Sequence, residues 1–146
     1  MAYLPHLIAI LVGASLTVQI GMNATVRDAL GSALIATITN FFIGLVALGG
    51  LALATGARVV PGSLPSVPAW AWFGGLLGAT YVAAATVLGP RLSAAAFLAL
   101  TLVGQMVAAL VVDHYGAIGF PENPVTLWRV IGVVLLIVGV VLIMRR

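Results

Sequence analysis

Five long apolar runs alternate with short polar or proline-containing breaks along this chain. A helix needs about 17 to 25 mostly apolar residues to cross roughly 30 Å of hydrocarbon. The pattern therefore predicts an all-α integral membrane protein whose residues 1–146 form a single domain of five transmembrane helices. The predicted helices cover residues 5–26, 30–55, 70–88, 92–112 and 125–144.

The breaks between the runs contain residues that interrupt helices. "GARVVPGSLPSVPAW" (56–70) has three prolines, and "LGPRLS" (88–93) has a Gly-Pro pair. In "YGAIGFPENP" (115–124), Asn123 followed by Pro124 predicts the N-cap and first position of the fifth helix. "NATVRDALGS" (23–32) predicts a tight turn, because an uninterrupted run of about 50 residues is too long for one crossing helix.

Composition identifies the solvent of this chain as a bilayer. Hydrophobic residues make up 63% and charged residues 6%, and the mean hydropathy is +1.27. The absence of cysteine excludes disulfides, thiolate metal sites and thiol nucleophiles. The first run lacks the basic start of a signal peptide and contains Gln19 and Asn23, so we expect it to be retained as a helix.

The six basic residues are all arginines, and they lie near the ends of the apolar runs. Five crossings place the termini on opposite sides, with Arg58 and Arg129 on the N-terminal side. The other side has Arg27, Arg91, Arg145 and Arg146. This bias is weak, and the positive-inside rule would place the C-terminus in the cytoplasm. A single orientation and insertion in both orientations therefore remain open.

Neutral polar side chains recur inside the apolar runs. Ser15, Gln19 and Asn23 are spaced by four residues, which places them on one face of the first helix. Because hydrocarbon leaves polar groups unsatisfied, we expect such faces to turn inward toward one another, water or substrate. The predicted substrate-binding set is Ser15, Gln19, Asn23, Asn40, Tyr81, Thr101 and Gln105. Alternatively, the amides only join helices, a role that contributes about 0.6 to 2 kcal/mol.

Two further sets of residues have competing interpretations. Asp113 and His114 end the fourth run. They are either a solvated helix end, or groups that couple proton movement to transport or open and close one end of the transport path. Gly132 and Gly139 share a face of the fifth helix and would allow another helix backbone to approach closely. They would then form a dimer contact, or else pack within their own chain.

The order of these polar residues resembles that of a known family. The run "GQMVAALVVDHYGAIGFPENPVTLWRVIGVVLLIVGVVLI" (104–143), together with "QIGMN" (19–23), "WAWFGGLLGATYV" (70–82) and "LGPRLS" (88–93), resembles the YdcZ family of the drug/metabolite transporter superfamily. The resemblance implies half of a ten-helix fold, completed by a second half in inverted orientation. It also implies dual-topology chains, oppositely oriented pairs or fusions, and a last helix similar to the dimerising helix of small multidrug resistance transporters.

One departure from those distant relatives affects the expected substrate. Small multidrug resistance transporters look to use an acidic residue in the first helix, whereas the first run here has only neutral polar residues. We therefore expect a neutral midplane cavity for an uncharged or zwitterionic molecule, or for one whose charge is handled at the end of the transport path. Alternatively, the chain is a facilitator without proton coupling.

The expected function is transport of a small molecule, with export as the expected direction, by alternating access in the cell inner membrane. The expected partners are an inverted copy or an oppositely oriented sister chain, membrane lipid and an unidentified substrate, and not nucleic acid. The alternative is a non-transporting accessory subunit paired with a sister chain. We expect no catalytic residue, metal site or cofactor, because His6 and His114 are isolated from further metal ligands or a nucleophile.

Overall fold

The computed structural model describes residues 3–145, and five α-helices account for most of them. All five are long and apolar enough to cross a membrane, which confirms the all-helical, five-span prediction. Two short 3-10 helices, Leu64–Ser66 and Ala69–Trp72, precede the third α-helix. The α-helices are α1 (Leu4–Leu30), α2 (Ala33–Thr55), α3 (Phe73–Leu92), α4 (Ala94–His114) and α5 (Leu127–Met144).

The first break is a tight turn, as predicted, and lies at the end of the predicted stretch. α1 continues past Arg27 and ends at Gly31, whose φ of 69° is the left-handed conformation that favours glycine. Ser32 then caps α2, because its hydroxyl oxygen accepts a hydrogen bond from the Ile35 N–H at 3.3 Å. Arg27 consequently lies in the last turn of α1.

The Gly-Pro pair does not end α3, contrary to prediction. The helix continues through Pro90 to Leu92, and the break falls at Ser93, whose φ is 77°. The Ser93 hydroxyl oxygen accepts from the Ala96 N–H at 3.4 Å and so caps α4. A proline removes one helical hydrogen bond, and helices tolerate this loss when another group satisfies the freed carbonyl.

The predicted N-cap of α5 is wrong. Thr126 caps the helix, with its hydroxyl oxygen accepting from the Arg129 N–H at 3.4 Å. Asn123 instead contributes its backbone to the preceding loop: its N–H donates to the Asp113 carbonyl at 2.7 Å, and its carbonyl accepts from Arg129 at 3.0 Å. The start of α5 therefore follows from the Thr126 cap rather than from the Asn-Pro pair.

The chain divides into two units, one within residues 1–91 and the other within residues 92–146. In the first unit, the buried apolar residues are Ile20, Ala36 and Ala85, and the buried polar residues are Asn23, Thr37 and Thr86. Most large apolar side chains of the five helices are exposed, as expected where lipid or a partner covers them. Arg146, which entered the arginine balance, lies outside the described residues.

α1 and α3 approach each other closely at one glycine. Gly89 is buried, and a Cβ at this position would lie 2.5 Å from Ile20 Cγ2. Real side chains do not approach so closely, so a larger residue would fit only if the Ile20 side chain or one of the two helices shifted. Gly78, on the same helix, has no neighbour within 4 Å of a Cβ and provides a matched control.

We expect Gly89→Ala to destabilise the protein by about 1 to 3 kcal/mol relative to Gly78→Ala, because the added methyl overpacks the contact with Ile20. Unfolding of the purified protein by SDS in mixed micelles measures the difference. Adding Ile20→Ala, which removes Cγ2, should abolish most of the penalty of Gly89→Ala. Equal tolerance of both alanines would contradict the close contact.

Candidate functional site

An amide pair joins α1 to α2. The Asn40 side-chain N–H donates to the Asn23 side-chain oxygen at 2.7 Å. Asn23 is only 2% exposed, and Asn40 is half-buried. A buried amide in hydrocarbon needs such a partner. The hydrogen bond between Asn23 and Asn40 therefore holds the two helices together. The amide nitrogen of Asn40 is occupied, whereas its oxygen makes no hydrogen bond within residues 3–145.

A crevice of about 330 Å³ lies beside this pair in the first unit. Gln19 and Asn40 are its polar wall, and the side chain of Gln19 makes no hydrogen bond to any residue in the described range. None of the lining residues is ionisable. The full lining is Gln19, Asn40, Phe41, Gly44, Leu45, Leu48 and Val82, so residues from α1, α2 and α3 contribute.

The other predicted residues of the first unit lie outside this lining. Ser15 is exposed, and its hydroxyl donates to the Val12 carbonyl of its own helix at 2.7 Å. Tyr81 is half-buried in α3 and precedes Val82, which does line the crevice. The three polar residues on this face of α1 therefore have different environments: Ser15 bonds to its own helix, Gln19 lies at the crevice, and Asn23 is buried in the amide pair.

Thr101 and Gln105 belong to the second unit. The Thr101 hydroxyl donates to the Leu98 carbonyl at 3.0 Å, as hydroxyls in helices commonly do. Gln105 is exposed, and its amide makes no hydrogen bond within the described part of the chain. Its convergence with Gln19 remains a prediction.

An ion pair closes one end of the second unit. The Arg129 guanidinium pairs with the Asp113 carboxylate, and both side chains are less than one-third exposed. The neighbouring His114 accepts a hydrogen bond at Nδ1 from the Val125 N–H at 3.2 Å. These contacts, with those of Asn123, tie the end of α4 to the loop and to the start of α5. The geometry favours a structured helix end, and a coupling or gating role for Asp113 and His114 remains a prediction.

Arg129 had no predicted site role, since the sequence indicated only a topology signal at this position. Its sequence position, one turn or less inside the last helix, is also where a side chain could reach the end of the preceding helix. An arginine there with an aspartate at the end of the previous apolar run is the signal that could have predicted the pair.

The glycines of α5 face open space. Gly132 is exposed and lines a groove of about 560 Å³ between α4 and α5, together with Met106, Asp113 and Arg129. A Cβ at Gly132 or Gly139 would meet no described atom within 4 Å. Both positions leave room for another molecule, and a dimer contact or packing within the same chain remains a prediction for these two glycines.

Comparison with known protein families identifies the family of this chain. Residues 4–142 match the family model described as "Putative inner membrane exporter, YdcZ". The match covers nearly the whole chain and all five helices, except for the last residues of α5. No curated protein and no solved structure matches the chain.

We expect Asn23 and Asn40 to be coupled in a double-mutant cycle with leucine at either or both positions. The expected coupling is about 0.6 to 2 kcal/mol, because each single variant leaves the other amide unpaired in hydrocarbon. Free energies of unfolding in mixed micelles measure it, with Ser15→Ala as a near-neutral control. Additive effects of the two leucines would rule out the hydrogen bond as a stabilising contact.

Proposed function

This chain belongs to the YdcZ family, and on that premise we propose that it exports a neutral or zwitterionic small molecule across the inner membrane by alternating access. The family is one of membrane exporters rather than enzymes, and the five candidate spans agree with a multi-pass inner membrane protein. The crevice lined by Gln19 and Asn40 is the observation that supports a neutral or zwitterionic substrate.

The polar wall of the crevice suits an uncharged solute. The Gln19 amide offers two donors and an acceptor, and the free Asn40 oxygen offers a second acceptor. No carboxylate or guanidinium lines the space to balance a net charge. Phe41 and the leucines of α2 would contact an apolar portion of the same molecule. A small amphipathic solute with at least one hydrogen-bond donor therefore fits this wall best.

We propose that a second copy in inverted orientation completes the transport path. The exposed apolar faces of the helices, together with the open space at Gly132 and Gly139, support association through α5. Transporters built from inverted repeats bind substrate near the midplane between the halves. In this proposal the two copies form the ten-helix fold, and Ser15, Tyr81, Thr101 and Gln105 complete the cavity begun by Gln19. A sister chain in the opposite orientation could take the place of the second copy.

The ion pair of Asp113 and Arg129 would lie at one mouth of this path. Movement of α4 against α5 would have to break the pair or carry it along, together with the hydrogen bond from the Val125 N–H to His114 Nδ1. We therefore assign gating to this end and substrate contact to the amides.

A non-transporting accessory subunit is the alternative function. The bond between Asn23 and Asn40 favours it, because it shows that at least one predicted site amide is used to join helices. Gln19 and Gln105, which make no hydrogen bond within residues 3–145, favour transport.

The inverted dimer predicts that a tag on the C-terminus is accessible from both sides of the membrane in comparable amounts. The nearly balanced arginines give either orientation a similar insertion free energy. Labelling of intact cells and of inverted vesicles with a membrane-impermeant reagent measures the ratio. Adding two arginines next to Arg58 should shift the population to one orientation. A tag found on one side only in the unaltered chain would exclude the self-paired inverted dimer.

Transport by the purified protein can be tested without knowing the substrate. Proteoliposomes are loaded with a small-molecule extract of cells, and mass spectrometry identifies what leaves the lumen. We expect a neutral or zwitterionic species to be depleted, and Gln19→Leu to prevent depletion while dimer yield stays unchanged. Thr25→Ala, outside both the crevice and the proposed cavity, should transport normally. If no molecule leaves the lumen, the result would favour the accessory subunit. If only cations leave the lumen, the result would refute the neutral cavity.

A further inference from the structure

A proline within α3 leaves one backbone carbonyl without its helical donor. In an α-helix the N–H of each residue donates to the carbonyl four residues earlier. Pro90 has no N–H, so the carbonyl of Thr86 loses this partner. Thr86 is fully buried, and its hydroxyl donates to the Val82 carbonyl of its own helix. A buried carbonyl in hydrocarbon without a donor is costly.

Arg27 supplies the missing donor from another helix. Its Nη1 donates to the Thr86 carbonyl oxygen at 2.9 Å. The rest of the guanidinium is held by its sequence neighbour, because Nε and Nη2 donate to Asp28 Oδ1 at 2.9 and 2.6 Å. Asp28 therefore orients the arginine and balances its charge, while Nη1 reaches α3.

A second contact between α1 and α3 lies along the same line, here called the α1–α3 seam. Gly89 is one turn from Thr86 on α3, and Ile20 is two turns from Arg27 on α1, so the two contacts share one face of each helix. Val82, one turn before Thr86, and Gln19, beside Ile20, both line the crevice. The spacing of α1 and α3 at this seam thus sets the distance between two walls of the crevice.

We propose that Arg27 is a positioning residue whose guanidinium replaces the hydrogen bond removed by Pro90 and so fixes α1 against α3 beside the crevice. The importance of this crevice for transport rests on the proposed function, whereas the contact itself does not. The competing role of Arg27 is that of a topology signal, which depends on its charge alone. Only the proposed role depends on the residue at position 90.

A double-mutant cycle between Arg27 and Pro90 separates these roles. Pro90→Ala restores an N–H that can satisfy Thr86 from within α3, so Arg27 should become dispensable in that background. We expect Arg27→Ala alone to lower the ratio of folded to unfolded protein by about 10-fold, since the lost bond involves a charged donor. In the Pro90→Ala background, the same change should lower it by less than about 2-fold.

Three controls make the cycle specific. Arg91→Ala removes an exposed arginine that makes no hydrogen bond within the described residues and is predicted on the same membrane side as Arg27, so it should leave the folded ratio unchanged. Arg27→Lys, which keeps a charge and a donor, should retain part of the effect. Pro90→Leu should rescue Arg27→Ala as Pro90→Ala does. An equal loss from Arg27→Ala in both backgrounds would overturn the proposal.

Crevice geometry requires its own measurement, because stability alone would not distinguish positioning from packing. A single cysteine at Leu45, which lines the crevice, can be introduced into this cysteine-free chain. Its alkylation rate by neutral N-ethylmaleimide should change several-fold with Arg27→Ala and return when Pro90→Ala is added. A cysteine at Leu53, which is 86% exposed and outside the crevice, should not respond.

The outcomes distinguish this proposal from failure of the proposed function. An unchanged Leu45 rate despite lost stability would overturn the positioning role. A C-terminal tag that changes sides equally in Arg27→Ala and Arg91→Ala, with no rescue by Pro90→Ala, would assign Arg27 to topology and also overturn it. Absence of transport, with the cycle as expected, would refute export and leave the positioning of α1 and α3 intact.

Discussion

Every polar group of the backbone must find a partner inside the protein where the solvent is hydrocarbon, and this requirement governs the structure. It makes each span a continuous helix. It also explains why the hydroxyls of Thr37 and Thr86 donate hydrogen bonds to carbonyls of their own helices. It also determines where a proline is tolerated. Pro90 stands inside α3 because Arg27 serves the carbonyl that the proline frees.

The same requirement explains which features of the fold could be predicted from sequence. Five spans follow from the lengths of the apolar runs, because the backbone bonds of a helix are local. The passage of α3 through Pro90 could not be predicted by local rules, since the compensating donor lies on α1. The cap of α5 at Thr126 could not be predicted for a similar reason: Asn123 has backbone partners on α4 and α5 that its sequence neighbours do not reveal.

For the candidate site, sequence identified the polar residues but not their partners. Helical spacing placed Ser15, Gln19 and Asn23 on one face, yet their environments differ because Asn40 of α2 bonds Asn23 and lies beside the crevice with Gln19, whereas Ser15 bonds its own helix. Spacing within a helix specifies a direction, whereas pairing depends on how far along its axis a neighbouring helix crosses. Charge at helix ends has the same ambiguity, and Arg27 and Arg129 both proved to have specific partners within their units.

The amides that make no hydrogen bond within residues 3–145 have a consequence for selectivity. An amide facing hydrocarbon is unfavourable, so the Gln19 side chain will be stabilised by whatever molecule brings complementary donors and acceptors into the crevice. A purely apolar solute would leave that amide unsatisfied and also displace any water bound to it. A site that must hydrogen-bond its ligand discriminates strongly against analogues that lack the group, whereas a site with only apolar walls discriminates weakly. Gln19 would therefore exclude the lipid tails that surround the protein while admitting small amphipathic molecules with a neutral polar group.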